Sequence, residues 1–172
     1  MPAGDEPPAT LREVLAHVRA DGGMVWPVLV KASPHMMAKA DPMDLSTLAI
    51  IPASGPPLTL PEEIGSSECL VLRPRRPSRT QPMRLTIGRA RDCDMVVPDA
   101  SVSKLHATVI VDTYEEKYSI RDEGSRNGTR VDGVLAKAGK MVPIGTLARI
   151  SFGTATFIFA DGATLKQLSR LA

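Results

Sequence analysis

Residues 118–134 read YSIRDEGSRNGTRVDGV, and this stretch decides the fold. Tyr118 and Ile120 alternate with Ser119 and Arg121, the period-two pattern of a strand with one buried face. Asp122 to Thr129 then drops the alternation in favour of Asp, Gly, Ser and Asn, the residues of turns. Val131 to Val134 follows with Asp-Gly at its centre, where a two-residue hairpin needs positive φ. Strand, loop, strand and tight turn in one short stretch point to antiparallel β architecture.

The pattern recurs on both sides. Met83, Leu85 and Ile87 alternate with Arg84 and Thr86, Ala148, Ile150 and Phe152 with Arg149 and Ser151, and Ala155, Phe157 and Phe159 with Thr156 and Ile158. Many short half-buried strands separated by turns predict an all-β sandwich. The closing DGATLKQLSRLA, with Leu165, Leu168 and Leu171 three apart, predicts a C-terminal helix laid across it, in a segment 161–172.

The chain before residue 68 differs in kind. Thirteen of the fifteen prolines lie before residue 83, and repeated proline removes ladder donors and stops helices. Within this segment, TLREVLAHVR offers Thr10 as N-cap with Glu13 three residues on. That capping box predicts an amphipathic helix over about 10–20. MVWPVLVK predicts an edge strand, because Pro27 interrupts it. Residues 32 to 67 carry no periodicity and no motif, so residues 1–67 are read as an accessory segment whose role the sequence leaves open.

Charge divides the chain as well. Residues 1–67 hold eight acids and four bases, residues 68–160 ten acids and fifteen bases, which favours an anionic partner for the second part. Cys69 and Cys93 have no CxxC or His-paired spacing and are read as buried apolar fillers in a reducing compartment. His17 and His35 have no partner in the sequence, so no metal and no cofactor is expected. No apolar run of membrane length and no secretory lead-in is seen, and a cytoplasmic, membrane-free setting is the expectation.

Three loops break the strands: the one that begins Gly88-Arg89, the one containing SVSKLH (Ser101 to His106), and DEGSRNGT (Asp122 to Thr129). Ser103 near His106 raises the question of a nucleophile and its base. A hydrolase would also need an orienting acid and an oxyanion hole, and there is no GxSxG elbow. No catalytic residue is assigned. Arg89, Ser103, Lys104, Ser125, Arg126 and Asn127 form a set of donors suited to an oxyanion with several acceptor oxygens.

The order IGRARDCDMVVPDASVSKLHATV followed by YSIRDEGSRNGTRVDGV resembles a forkhead-associated (FHA) domain, over about residues 68–160. The resemblance implies an eleven-stranded sandwich whose loops bind phosphothreonine peptides. It implies Arg89 and Ser103 as phosphate ligands, with Lys104 adding charge, Asn127 on the peptide main chain, and Arg126 reaching the ligand by side chain or amide. Gly88, His106, Ser125, Gly128 and Thr129 would shape the site, His106 as a brace.

Asp132 and Gly145-Thr146 depart from the usual family pattern, both at turns outside the phosphate ligands. The expected partner is a phosphothreonine protein, either a Ser/Thr kinase or its substrate. The alternatives are a phosphate-independent scaffold and a nucleic-acid binder using Arg73, Arg75, Arg76, Arg79 and Arg84. The latter is disfavoured by the lack of aromatic residues for stacking. Arg75-Arg76 before Ser78 has the order of a basophilic-kinase site, and Thr80 follows Arg79 in the same proline-bounded stretch. Phosphate on Thr80 would make a ligand for a neighbouring copy, and so a homo-oligomer.

Overall fold

The computed structural model describes residues 9–20, 25–32, 65–75, 82–112 and 114–170. Along the chain these residues form β1 (Ala9–Thr10), α1 (Leu11–Ala20), β2 (Val28–Lys31), β3 (Glu68–Val71), β4 (Met83–Gly88), β5 (Met95–Val96) and β6 (Ala107–Asp112). Then come β7 (Lys117–Asp122), β8 (Thr129–Val131), β9 (Val134–Leu135), β10 (Met141–Pro143), β11 (Arg149–Phe152), β12 (Ala155–Ala160) and α2 (Gly162–Leu168). One sheet has the order β1-β3-β2-β12-β11-β8-β9, the other β10-β7-β6-β4-β5. Among the described residues that makes twelve strands. The sandwich implied by the resemblance is present, with the two-residue β1 at one edge.

Period-two alternation becomes register. Leu85 pairs with Val109 and Val109 with Ile120, so one inward row runs across three strands. It meets Leu29, Ile150, Phe152, Phe157 and Phe159 from the other sheet in a single apolar core. The Asp132-Gly133 turn takes φ of 50° and 82° and sets Val131 opposite Val134. Asp132 also accepts from the Arg149 backbone N–H at 2.8 Å, so the aspartate ties the hairpin to β11.

The edge-strand reading of MVWPVLVK is corrected. β2 lies inside its sheet, between β12 and β3. Pro27 stands just before the strand, where its missing N–H removes no ladder bond, and its carbonyl accepts from Leu72 N–H at 2.8 Å. Leu29 faces the sandwich core, while Val28 and Val30 join a second cluster on the outer face of the sheet. Burial on both faces explains why the run is apolar throughout instead of alternating.

That second cluster is roofed by the two helices. Leu11 and Leu15 of α1 and Leu165 and Leu168 of α2 pack on Val28, Val30, Cys69 and Ile158. The capping box forms: Glu13 accepts from Thr10 N–H at 2.7 Å, and Thr10 Oγ1 accepts from Glu13 N–H at 3.3 Å. Asp161 caps α2 by accepting from Thr164 N–H at 2.7 Å. Both cysteines are buried and free, and burial pushes the Cys69 thiol up to about 12. Arg76, Ser78, Arg79 and Thr80 lie outside the described residues, as do His35 and Leu171.

Candidate functional site

The loops after β4, before β6 and after β7 meet at one end of the sandwich, and main-chain bonds stitch the first two together. Arg89 N–H donates to Ser103 O at 2.9 Å, and Ala90 N–H to Lys104 O at 3.1 Å. This crossing accounts for Gly88, because a Cβ there would overlap the Lys104 carbonyl. Gly88 serves close backbone approach.

Arg89 is exposed. Its Nε donates to Val102 O at 3.2 Å, which aims the guanidinium and leaves its terminal nitrogens without a partner among the described residues. No ion pair to Asp92 or Asp94 forms. Asp94 instead accepts from Thr86 N–H and Oγ1–H at 2.9 and 2.8 Å.

His106 is fully buried and joins the second loop to the third. Its Nδ1 accepts from Ser103 N–H at 3.0 Å, and Nε2 lies 3.1 Å from Gly128 O. A backbone N–H can only donate, so Nδ1 is bare and Nε2 carries the proton toward Gly128. Burial lowers the imidazole's pKa against the opposing effects of the Gly128 bond and Asp122. The ring is a neutral brace, edge-on to Phe152 at 5.5 Å. Ser103 and His106 are therefore not a nucleophile and its base. The histidine meets the serine's amide, and Ser103 Oγ accepts from Arg126 N–H at 3.0 Å. The hydroxyl hydrogen of Ser103 remains available to a ligand oxygen.

The third loop is organised by Asp122, which the sequence marked only as the start of the loop. Asp122 is 2% exposed and accepts four bonds. Gly124 and Ser125 N–H reach Oδ1, each at 2.9 Å, and Ser125 and Thr129 hydroxyls reach Oδ2, each at 2.7 Å. Burial raises this carboxyl's pKa, but the four donors outweigh it and hold the group below its ordinary range. The spacing Asp-x-Gly-Ser, an Asx-turn signature, is the signal that could have found it. Ser125 Oγ also accepts from Gly128 N–H at 3.0 Å, so Ser125 and Thr129 shape the loop from within. Gly128 has φ 78°, which a side chain would resist.

Asn127 Nδ2 donates to Ser101 O at 2.7 Å, leaving Oδ1 and a second N–H for a ligand. Ser101 was not singled out from sequence, yet its hydroxyl donates to Asp99 at 2.7 Å and accepts from Thr154 N–H at 2.9 Å. It thereby ties in the β11–β12 turn. The Arg126 amide is engaged by Ser103, so of the two routes to a ligand expected for Arg126 only the side chain is left. These loops enclose an open cleft of about 240 Å³, lined by Arg89, Ser101, Ser103, Lys104, Arg126 and Asn127 together with Ala100 and Val102. Three cations line it and no carboxylate does. Arg73, Arg75 and Arg84, the described part of the other basic group, lie outside this lining.

Residues 85–153 match the sequence profile of the FHA domain, and this part of the chain is a forkhead-associated domain. Over 114 residues the chain is 33% identical to an ABC transporter ATP-binding/permease protein of Mycobacterium tuberculosis, covering 63% of this chain and 12% of that protein. Over 50 residues it is 46% identical to the mouse angiogenic factor with G patch and FHA domains 1, covering 28% of this chain and 7% of that protein. The chain thus spans a small fraction of either relative. The FHA domain of the CT664 protein from Chlamydia trachomatis shares the fold, with TM-score 0.52, 17% identity, and coverage of 79% of this chain and 97% of that one.

Proposed function

We propose that the chain is a phosphothreonine-dependent protein-recognition module serving a Ser/Thr kinase pathway in the cytoplasm. FHA domains are recognition modules that bind phosphothreonine peptides in signalling. The observation that carries the reading here is the convergence of Arg89, Ser103 and Lys104 on one cleft free of carboxylates. A phosphothreonine brings nearly two negative charges and three strong acceptors. Arg89 offers a planar pair of donors, Ser103 a hydroxyl hydrogen and Lys104 a point charge. Asn127, fixed by Ser101, would hold the peptide main chain.

The test is calorimetric titration of the full chain with a peptide selected from an oriented phosphothreonine library. Arg89→Ala should weaken binding at least about thirtyfold, since truncating one partner of a close charge pair costs about 2–5 kcal/mol. The fold should stay intact, and the unphosphorylated peptide should not bind. A matched phosphoserine peptide should bind less tightly, as one methyl in an apolar pocket contributes about 1–3 kcal/mol. Undiminished affinity in Arg89→Ala would place the site elsewhere.

A further inference from the structure

The three cations of the cleft exceed what one phosphate neutralises. A phosphothreonine carries about −1.5 to −2 at neutral pH, so filling the phosphate position leaves roughly one positive charge unmatched. The carboxylates that hydrogen-bond the cleft loops, Asp99 and Asp122, do not match it. Asp99 is hydrogen-bonded to both the amide and the hydroxyl of Ser101, and Asp122 lies buried behind the third loop with four donors of its own.

Position decides which cation is left over. Arg89 and Lys104 belong to the two loops that are stitched together around Ser103. Arg126 comes from the third loop. Its amide is pinned to Ser103 Oγ at 3.0 Å, and it immediately precedes Asn127, whose own side chain is pinned to Ser101 O. Arg126 thus stands between the hydroxyl that meets the phosphate and the asparagine that meets the peptide chain. Its side chain is exposed and makes no ion pair among the described residues. Charges sharing one cleft lie within the Debye length of about 8 Å at physiological salt, so a ligand charge beside the phosphothreonine is felt.

We infer that Arg126 is a specificity-determining residue that reads a second negative charge close to the phosphothreonine, so the preferred ligand is an acidic or doubly phosphorylated segment. This rests on the phosphopeptide reading above. A flanking Asp or Glu should raise affinity about two- to fivefold, the range of an exposed ion pair. A second phosphate, able to take both arms of the guanidinium, should raise it about tenfold or more.

An oriented phosphothreonine library is passed over the full chain and over Arg126→Gln, which keeps the amide that holds Ser103. At the enriched flanking position, peptides carrying Ala, Asp or phosphothreonine are then titrated into both proteins and into Arg126→Lys. The expected result is acid enrichment at a flanking position in the native chain, lost in Arg126→Gln and partly kept in Arg126→Lys. The gain from Asp or phosphothreonine is read in each protein against its own Ala peptide, which Arg126→Gln, with one cleft cation removed, binds more weakly than the native chain does. No acid enrichment at any position, or a gain that survives in Arg126→Gln, overturns the inference and leaves the phosphopeptide reading standing. Failure of the Ala peptide to bind the native chain removes both.

Discussion

The acid sensitivity of this fold is set by single residues beneath the cleft. His106 is held neutral by burial, with its pKa below the ordinary value, while an unfolded chain protonates it near pH 6.5. Its contribution to stability is complete above that pH and is lost as pH falls toward the folded pKa, because only the unfolded state gains the proton. Asp122 has a depressed pKa, and so does Glu123, which accepts from Thr108 and Arg121. What they contribute is present above about pH 4 and disappears as pH drops through their folded values. Urea denaturation across pH should therefore show a plateau near neutrality, a first decline below about pH 6.5 and a steeper one below about pH 4. A flat response between about pH 7 and pH 5 would contradict the neutral brace. Asp122→Asn would keep one accepting oxygen and set an amide N–H₂ against two of the four donors. It should cost about 1–3 kcal/mol by the same denaturation and weaken phosphopeptide binding by loosening Arg126 and Asn127.

Elements differ in how far the sequence exposes them. α1 is legible because Thr10 and Glu13 announce its start and its apolar positions recur at helical spacing. β4, β7 and β11 are legible because one face is buried and alternation survives. β2 is not. Its residues are buried on both faces, so alternation vanishes, and Lys31 meets its β3 neighbour Glu68 across 37 positions of chain, beyond the reach of local pattern. In the site, the family motif carries Arg89, Ser103 and Asn127, whereas the Ser101 and Asp122 networks depend on loops distant in sequence. The placement of β2 has a consequence for boundaries: the sandwich is completed by residues that precede 68. A fragment of residues 68–160 would leave β12 with an open edge, β3 with no partner strand and the inner core without Leu29. It should lack dispersed NMR signals or aggregate, whereas residues 9–170 should fold. A well-folded 68–160 fragment would show that β2 is dispensable. Leu29→Ala in the full chain should cost about 2–5 kcal/mol.

Among the described residues, the two apolar clusters lie on opposite faces of the seven-stranded sheet, and the cleft loops hang from only one of them. The inner cluster carries Val97, Val102 and Ala107 around the second loop. The outer one joins α1 and α2 to the back of the sheet through Leu11, Leu15, Leu165 and Leu168, with Arg19 Nε donating to Ser169 O at 3.0 Å between the helices. A defect in the outer cluster removes stability that every part of a cooperative fold shares. It moves neither Ser103, held by His106, nor Asn127, held by Ser101. Stability and affinity should therefore separate. Leu15→Ala and Leu165→Ala, each at a fully buried position, should lower unfolding free energy by about 2–5 kcal/mol. Phosphopeptide affinity measured well below the melting temperature should stay within about twofold, since distant sites with no shared partners act independently. Ser101→Ala should do the reverse, costing little stability but clear affinity, because it releases Thr154 and loosens the loop whose carbonyl fixes Asn127. Denaturation and titration of the same three variants check this. Affinity that falls with stability in the leucine variants would mean that the helical layer, through β2 and the β11–β12 turn, takes part in setting the loops.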